Sequence, residues 1–140
     1  MTQLGALTDV VEGWAQQTSA IRAVALVGSY ARGAQRPDSD VDLILLAQDP
    51  LAFRATGWIT QFDWSGLDTD VDRWVDREYG AVWSRHVHLT NGLDVEFSFG
   101  ELSWAATDPV DPGTRKVMTD GHRVLYDPDG LLAMLITALA

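Results

Sequence analysis

Two short apolar runs set the strongest limit on what this chain can fold into. IRAVALVG, residues 21–28, and DVDLILLA, residues 40–47, are rich in β-branched and aliphatic residues, too short for apolar helices and too apolar for loops. A strand that is apolar on both faces must be covered on both, so each run belongs inside a sheet flanked by helices. The linker between them, GSYARGAQRPDS, is polar and punctuated by Gly and Pro, which predicts a turn or loop at one end of that sheet.

The rest of the chain supplies the cover and more strands. Residues 4–18 place Leu4, Leu7, Val10, Val11 and Trp14 at helical spacing, with Asp9, Glu12 and Gln16 opposite, which predicts a surface helix. DPLAFRATG reads as a helix start with Asp49 as cap and Pro50 in the first turn. VDRWVDREY and WSRHVHL both alternate, so a hairpin turning near Gly80 is expected. Asn91-Gly92 is a turn signal, and LDVEFSF after it alternates Leu93, Val95, Phe97 and Phe99 against Asp94, Glu96 and Ser98. A Pro-rich loop, a short helix over residues 114–119, the strand RVLYD and a final helix LLAMLITAL close the pattern. The fold class is therefore α+β, a mixed β-sheet with flanking helices, and at 140 residues a single domain over 1–140 is expected.

Composition narrows function. Twenty acidic against ten basic residues give a net charge of −10, a field that disfavours a nucleic-acid partner. The chain has no cysteine, which removes thiolate metal sites, thiol nucleophiles and disulfides and points to a cytoplasmic setting. No apolar run approaches the roughly 20 residues of a membrane span, so no membrane partner is expected.

The chemistry concentrates in GSYARGAQRPDSDVDL. Gly28 ends a buried strand, where a glycine lets the backbone approach a ligand and leaves the next amides free to point at phosphate oxygens; Ser29 adds a hydroxyl. Arg32 is the cation of this turn able to reach a polyphosphate, and Gly33 permits a positive φ or close packing. The stretch is no P-loop, because the Gly-Lys-Ser/Thr ending is missing. Asp40 and Asp42 stand two apart at the start of the second strand, so both carboxylates leave the same face and repel. A divalent cation such as Mg2+ removes that repulsion, and Asp94 and Glu96 on a neighbouring strand offer a third acid. Such a cluster suits nucleotidyl transfer, in which metal ions hold a triphosphate and activate the attacking hydroxyl.

Gly28-Ser29, ten residues, then Asp40-x-Asp42, with Arg32-Gly33 between and Ser39 before the first acid, resembles the polymerase β-like nucleotidyltransferase superfamily and its minimal nucleotidyltransferases. The resemblance covers residues 28–43 and 92–97. It implies ATP or another NTP bound with Mg2+, Ser29 and nearby amides on the phosphates, and Asp40 and Asp42 as metal ligands. Gly92-Leu93-Asp94-Val95-Glu96 is similar to the family's third-acid strand and points to Glu96, where the family more often has Asp; Asp94 is the alternative. The implied activity is transfer of an NMP group, first of all AMP from ATP, to a hydroxyl acceptor on a small molecule or protein, releasing pyrophosphate. Many antibiotic-modifying relatives have a helical second domain for the acceptor. The roughly 40 residues after the third-acid strand leave no room for it, so the acceptor is expected on an inserted segment, a homodimer partner or another protein.

Two other readings stay beside this one: an antitoxin of the minimal-nucleotidyltransferase type acting on a helical toxin, and an inactive nucleotide-binding or interaction domain. His86 and His88 share one face of a predicted strand at a spacing that can chelate metal. With no third His or Cys nearby in the sequence, they read more simply as exposed strand histidines. His122, after a Gly, reads as a surface residue. The six tryptophans read mostly as core.

Overall fold

The structure, a computed structural model, describes residues 2–140. Its elements in chain order are α1 (Gln3–Gln17), β1 (Ile21–Val27), α2 (Gly28–Ala31), β2 (Val41–Ala47), α3 (Gly57–Gln61), β3 (Val71–Glu78), β4 (Val82–Leu89), β5 (Asp94–Gly100), α4 (Pro112–Thr119), β6 (His122–Tyr126) and α5 (Leu131–Leu139). The strands form one sheet in the order β3-β4-β5-β2-β1-β6. Only β2 and β5 run parallel; the other neighbours are antiparallel. The two apolar runs thus lie side by side in the interior, as their composition requires, and nearly every residue of both is buried.

Each face of the sheet carries its own core. On one, Val24, Leu26, Leu43, Leu45, Phe97 and Phe99 pack under α1, which contributes Leu7, Val11 and Ala15. Thr2 caps α1 by accepting a hydrogen bond from the Gly5 amide at 2.9 Å. An aromatic cluster of Trp14, Phe53, Trp58, Phe62 and Trp64 extends this core over Phe97. Each such side chain removed from water contributes on the order of 2–3 kcal/mol. On the other face Ala23, Ala25, Ile44 and Leu46 meet Leu132 and Leu135 of α5, Met118 of α4 and Trp104.

The structure departs from the sequence reading in four places. The helix expected from Asp49 is a 3-10 turn, Pro50–Arg54, followed by the short α3, and Asp49 makes no side-chain cap. This broken path turns Phe53, Ile59, Phe62 and Trp64 all inward, with the Trp58 and Trp64 indoles donating to the Phe53 and Ile59 carbonyls at 2.7 and 2.8 Å. The polar linker holds one helical turn, α2. Helix α4 begins two residues before the expected start, capped by Asp111, which accepts from the Gly113 and Thr114 amides. His122 is half-buried at the start of β6, within 2.9 Å of the Met118 carbonyl oxygen, rather than a surface residue. No helix among the described residues is long and apolar enough to cross a membrane.

Candidate active site

The site lies where β1 ends and β2 and β5 begin. The chain leaves β1 extended at Val27 and turns at Gly28, whose φ is +74°. That conformation already favours glycine, and a Cβ built on Gly28 would collide with Oδ2 of Asp42. The turn is thus held against the second acid of Asp40-x-Asp42. Its return path is fixed by the Ala34 amide donating to the Ser29 carbonyl at 2.9 Å and the Arg36 amide donating to Ser39 Oγ at 2.7 Å. Ser39 therefore closes the bend that delivers Asp40. Gly33 has φ +70° with open space around it, so its turn conformation and not close packing explains the glycine.

Cross-strand register assembles the rest. In the parallel pair Val41 faces Val95 and Asp42 faces Glu96; in the antiparallel pair His86 faces Glu96 and His88 faces Asp94. Because successive side chains alternate, Asp42, Glu96 and His86 form one row on the same face, and Asp94 and His88 the next. Asp40, Asp42, Glu96, Asp94, His86 and His88 are all half-buried, as are Gly28 and Ser29, while Arg32 is exposed.

The electrostatics single out Asp42. Burial pushes its carboxyl up to about 7, reinforced by the negative charges of Glu96 and Asp40 and a hydrogen bond with Glu96, and opposed by the charge of Arg32. Three carboxylates crowded at a strand start offer an all-oxygen donor set, which fits a hard divalent cation, and a cation there relieves the repulsion. Asp94 is occupied differently: its Oδ1 lies 2.8 Å from His88 Nδ1, and its Oδ2 3.7 Å from His86 Nε2. A concavity of about 460 Å³ lies elsewhere, lined by Val82, Trp83, Glu101 and Thr114 towards the other end of β4 and β5.

Of the residues singled out in the sequence, Gly28 abuts Asp42, and Asp42 feels the charges of Glu96, Asp40 and Arg32, while Asp40 and Asp94 each lie 3.7 Å from His86 Nε2 and Ser29 follows Gly28 in α2. In the sequence the two histidines have no third His or Cys nearby. The structure brings them into the same rows as the acids, and the available signal was the pairing of HVH on one strand with DVE on the next.

A family model for the nucleotidyltransferase domain matches residues 7–85, more than half of the chain. The chain belongs to the nucleotidyltransferase domain family. The family implies an NTP substrate and typically a divalent metal. The matched residues run from α1 to β4 and contain Gly28-Ser29 and Asp40-x-Asp42, while β5 with Asp94 and Glu96 lies beyond them. No curated protein matches the sequence. Among solved structures the nucleotidyltransferase domain is similar to an aminoglycoside 6-adenyltransferase from Bacillus subtilis, with TM-score 0.55 and 13% identity over 77% of this chain and 38% of that one. It thus spans well under half the length of that enzyme. It is also similar to a chain in the crystal structure of a toxin-antitoxin with AMP-PNP, with TM-score 0.52 and 16% identity over 94% of this chain and 83% of that one. At these identities the likeness is one of fold.

Proposed function

We propose that the protein is a Mg2+-dependent nucleotidyltransferase that moves an NMP group, AMP from ATP, to a hydroxyl acceptor and releases pyrophosphate. The observation that carries this reading is the register of β2 against β5, which sets Glu96 directly opposite Asp42 beside the Gly28 turn. In this reading Asp40, Asp42 and Glu96 hold the metal, and Gly28, Ser29 and Arg32 receive the triphosphate. Bound Mg2+ would neutralise charge on the phosphates and lower the pKa of the acceptor hydroxyl. The acceptor oxygen then forms its bond to the α-phosphorus as the bond to pyrophosphate breaks, and a carboxylate of the cluster takes the hydroxyl proton. Since the covalent chemistry is slight, the residues act by positioning and by matching charge. Asp94, paired with His88, sits beside this set as the alternative third acid.

A second reading, an antitoxin acting on a helical toxin protein, draws support from the likeness of fold to a chain in the toxin-antitoxin structure with AMP-PNP, over 94% of this chain. Both readings keep the same site and differ in acceptor.

The test is calorimetric titration of ATP with Mg2+ into wild type, Asp40→Ala/Asp42→Ala, Glu96→Gln and Asp94→Asn. Binding is expected in wild type, lost in the double variant and weakened more by Glu96→Gln than by Asp94→Asn. Equal affinity in wild type and the double variant overturns the site and leaves an inactive or interaction domain. Incubation with α-labelled ATP and a panel of cationic small molecules and proteins, read by mass spectrometry, then identifies the acceptor.

A further inference from the structure

We propose that His86, His88 and Asp94 form a separate site for a borderline transition-metal cation of the Zn2+ or Co2+ class, next to the carboxylates of Asp42 and Glu96. One ligand atom from each of the three residues lies within 4.8 Å of the others. The two imidazoles stack with ring centroids 4.7 Å apart and planes 20° from parallel, so both project from the same face of β4. Asp94 comes from β5, directly across from His88.

The decisive atom is Nε2 of His86, which is shut off from solvent and has no hydrogen-bond partner. A buried polar atom without a partner is rare and costly. It stands 3.7 Å from Asp94 Oδ2 and 3.7 Å from Asp40 Oδ1. Both distances are too long for a hydrogen bond. They are close to the roughly 3.4 Å that separates two donors on one tetrahedral ion with bonds of about 2.1 Å. The His88–Asp94 hydrogen bond at 2.8 Å accounts for Nδ1 of His88 and leaves Nε2 of His86 unexplained; a cation between His86 and Asp94 gives Nε2 the partner it lacks. Backbone register sets the residues side by side; for all three to ligate one ion, the 2.8 Å His88–Asp94 pair opens and the wider-spaced atoms close in.

Chemistry separates this site from its neighbour. Two imidazole nitrogens and one carboxylate oxygen suit Zn2+, Co2+ or Ni2+, whereas Mg2+ prefers oxygen ligands and keeps its water. Three protein ligands leave a fourth position open, and Asp40 Oδ1 lies 3.7 Å from His86 Nε2. Asp40 thereby borders both sites. The inference stands on His86, His88 and Asp94 and does not depend on the nucleotidyl-transfer reading.

The test is titration of Co2+ into chelator-treated full-length protein in the presence of excess Mg2+. Visible d–d absorption that saturates at one equivalent, and that Zn2+ displaces while further Mg2+ does not, is expected. His86→Asn and His88→Asn should each weaken Co2+ binding by at least about tenfold, while His122→Asn, which removes the remaining histidine, leaves it unchanged. Should either variant fold poorly, the imidazole nitrogen resonances of the 15N-labelled wild type decide. Zn2+ should shift those of His86 and His88 and not His122. No saturable absorption, displacement by Mg2+, or shifts confined to His122 would overturn the site.

Discussion

Replacing Asp42 by Asn in metal-free protein tests directly whether the carboxylates are crowded as the structure places them. Asn keeps the shape and a hydrogen bond to Glu96 but removes the charge. Because Asp42 is pushed up to about 7, chiefly by burial and then by Glu96 and Asp40, the folded chain holds this proton more tightly than the unfolded one. Its contribution to stability is therefore complete below about pH 4 and is lost as the pH rises to about 7. At about 1.4 kcal/mol for each pH unit between those limits, the full loss would be about 4 kcal/mol. Partial solvent screening reduces this to about 1–2 kcal/mol. In EDTA at pH 8, Asp42→Asn should thus melt about 4–8 °C above wild type, and at pH 4 the two should coincide. Millimolar Mg2+ at pH 8 should raise the wild type and move the variant far less. Scanning calorimetry at pH 4, 6 and 8, with EDTA and with Mg2+, gives all of these values. A variant that is neutral or destabilised at pH 8 without metal would refute the crowding on which the cation site rests.

Gly28→Ala forces an L side chain into a positive-φ turn and drives its Cβ onto Asp42. A cost of at least about 1–2 kcal/mol in urea unfolding is expected, with loss of ATP·Mg2+ binding in calorimetry; unchanged values for both would show that the turn is not held against Asp42. Arg85, 1% exposed, donates to Asp76 at 2.8 and 2.9 Å and to the Arg54 carbonyl at 3.0 Å, and its guanidinium lies over the rings of Trp58, Trp74 and Trp83. Arg85→Met should cost about 1–3 kcal/mol in denaturant unfolding by removing the hydrogen bonds to Asp76 and the Arg54 carbonyl, and because Asp76 is itself exposed, adding Asp76→Asn should recover little of the loss.

Period-two and helical spacing in single segments made much of the architecture legible. LLAMLITAL is α5 to the residue, LDVEFSF turns its phenylalanines to the core and its acids to the site, and the turn near Gly80 joins β3 to β4. The segment after Asp49 was opaque. Its 3-10 turn and short helix are dictated by where Phe53, Trp58 and Trp64 must sit in the aromatic cluster, and local propensity carries no record of that. Residue 28 needed a glycine for two reasons, of which the turn was visible in the chain and the contact with Asp42 was not.

By itself the sequence determined that two apolar strands flank a glycine turn and that a pair of aspartates opens the second, because covalent spacing fixes which side chains share a face of one strand. Which acid of the later strand faces Asp42, and whether any group joins the two histidines, depends on register between strands, which no single segment encodes. Only the packed sheet decided it: the parallel pairing of β2 with β5 sets Glu96 against Asp42, and the antiparallel pairing of β4 with β5 leaves Asp94 to His88.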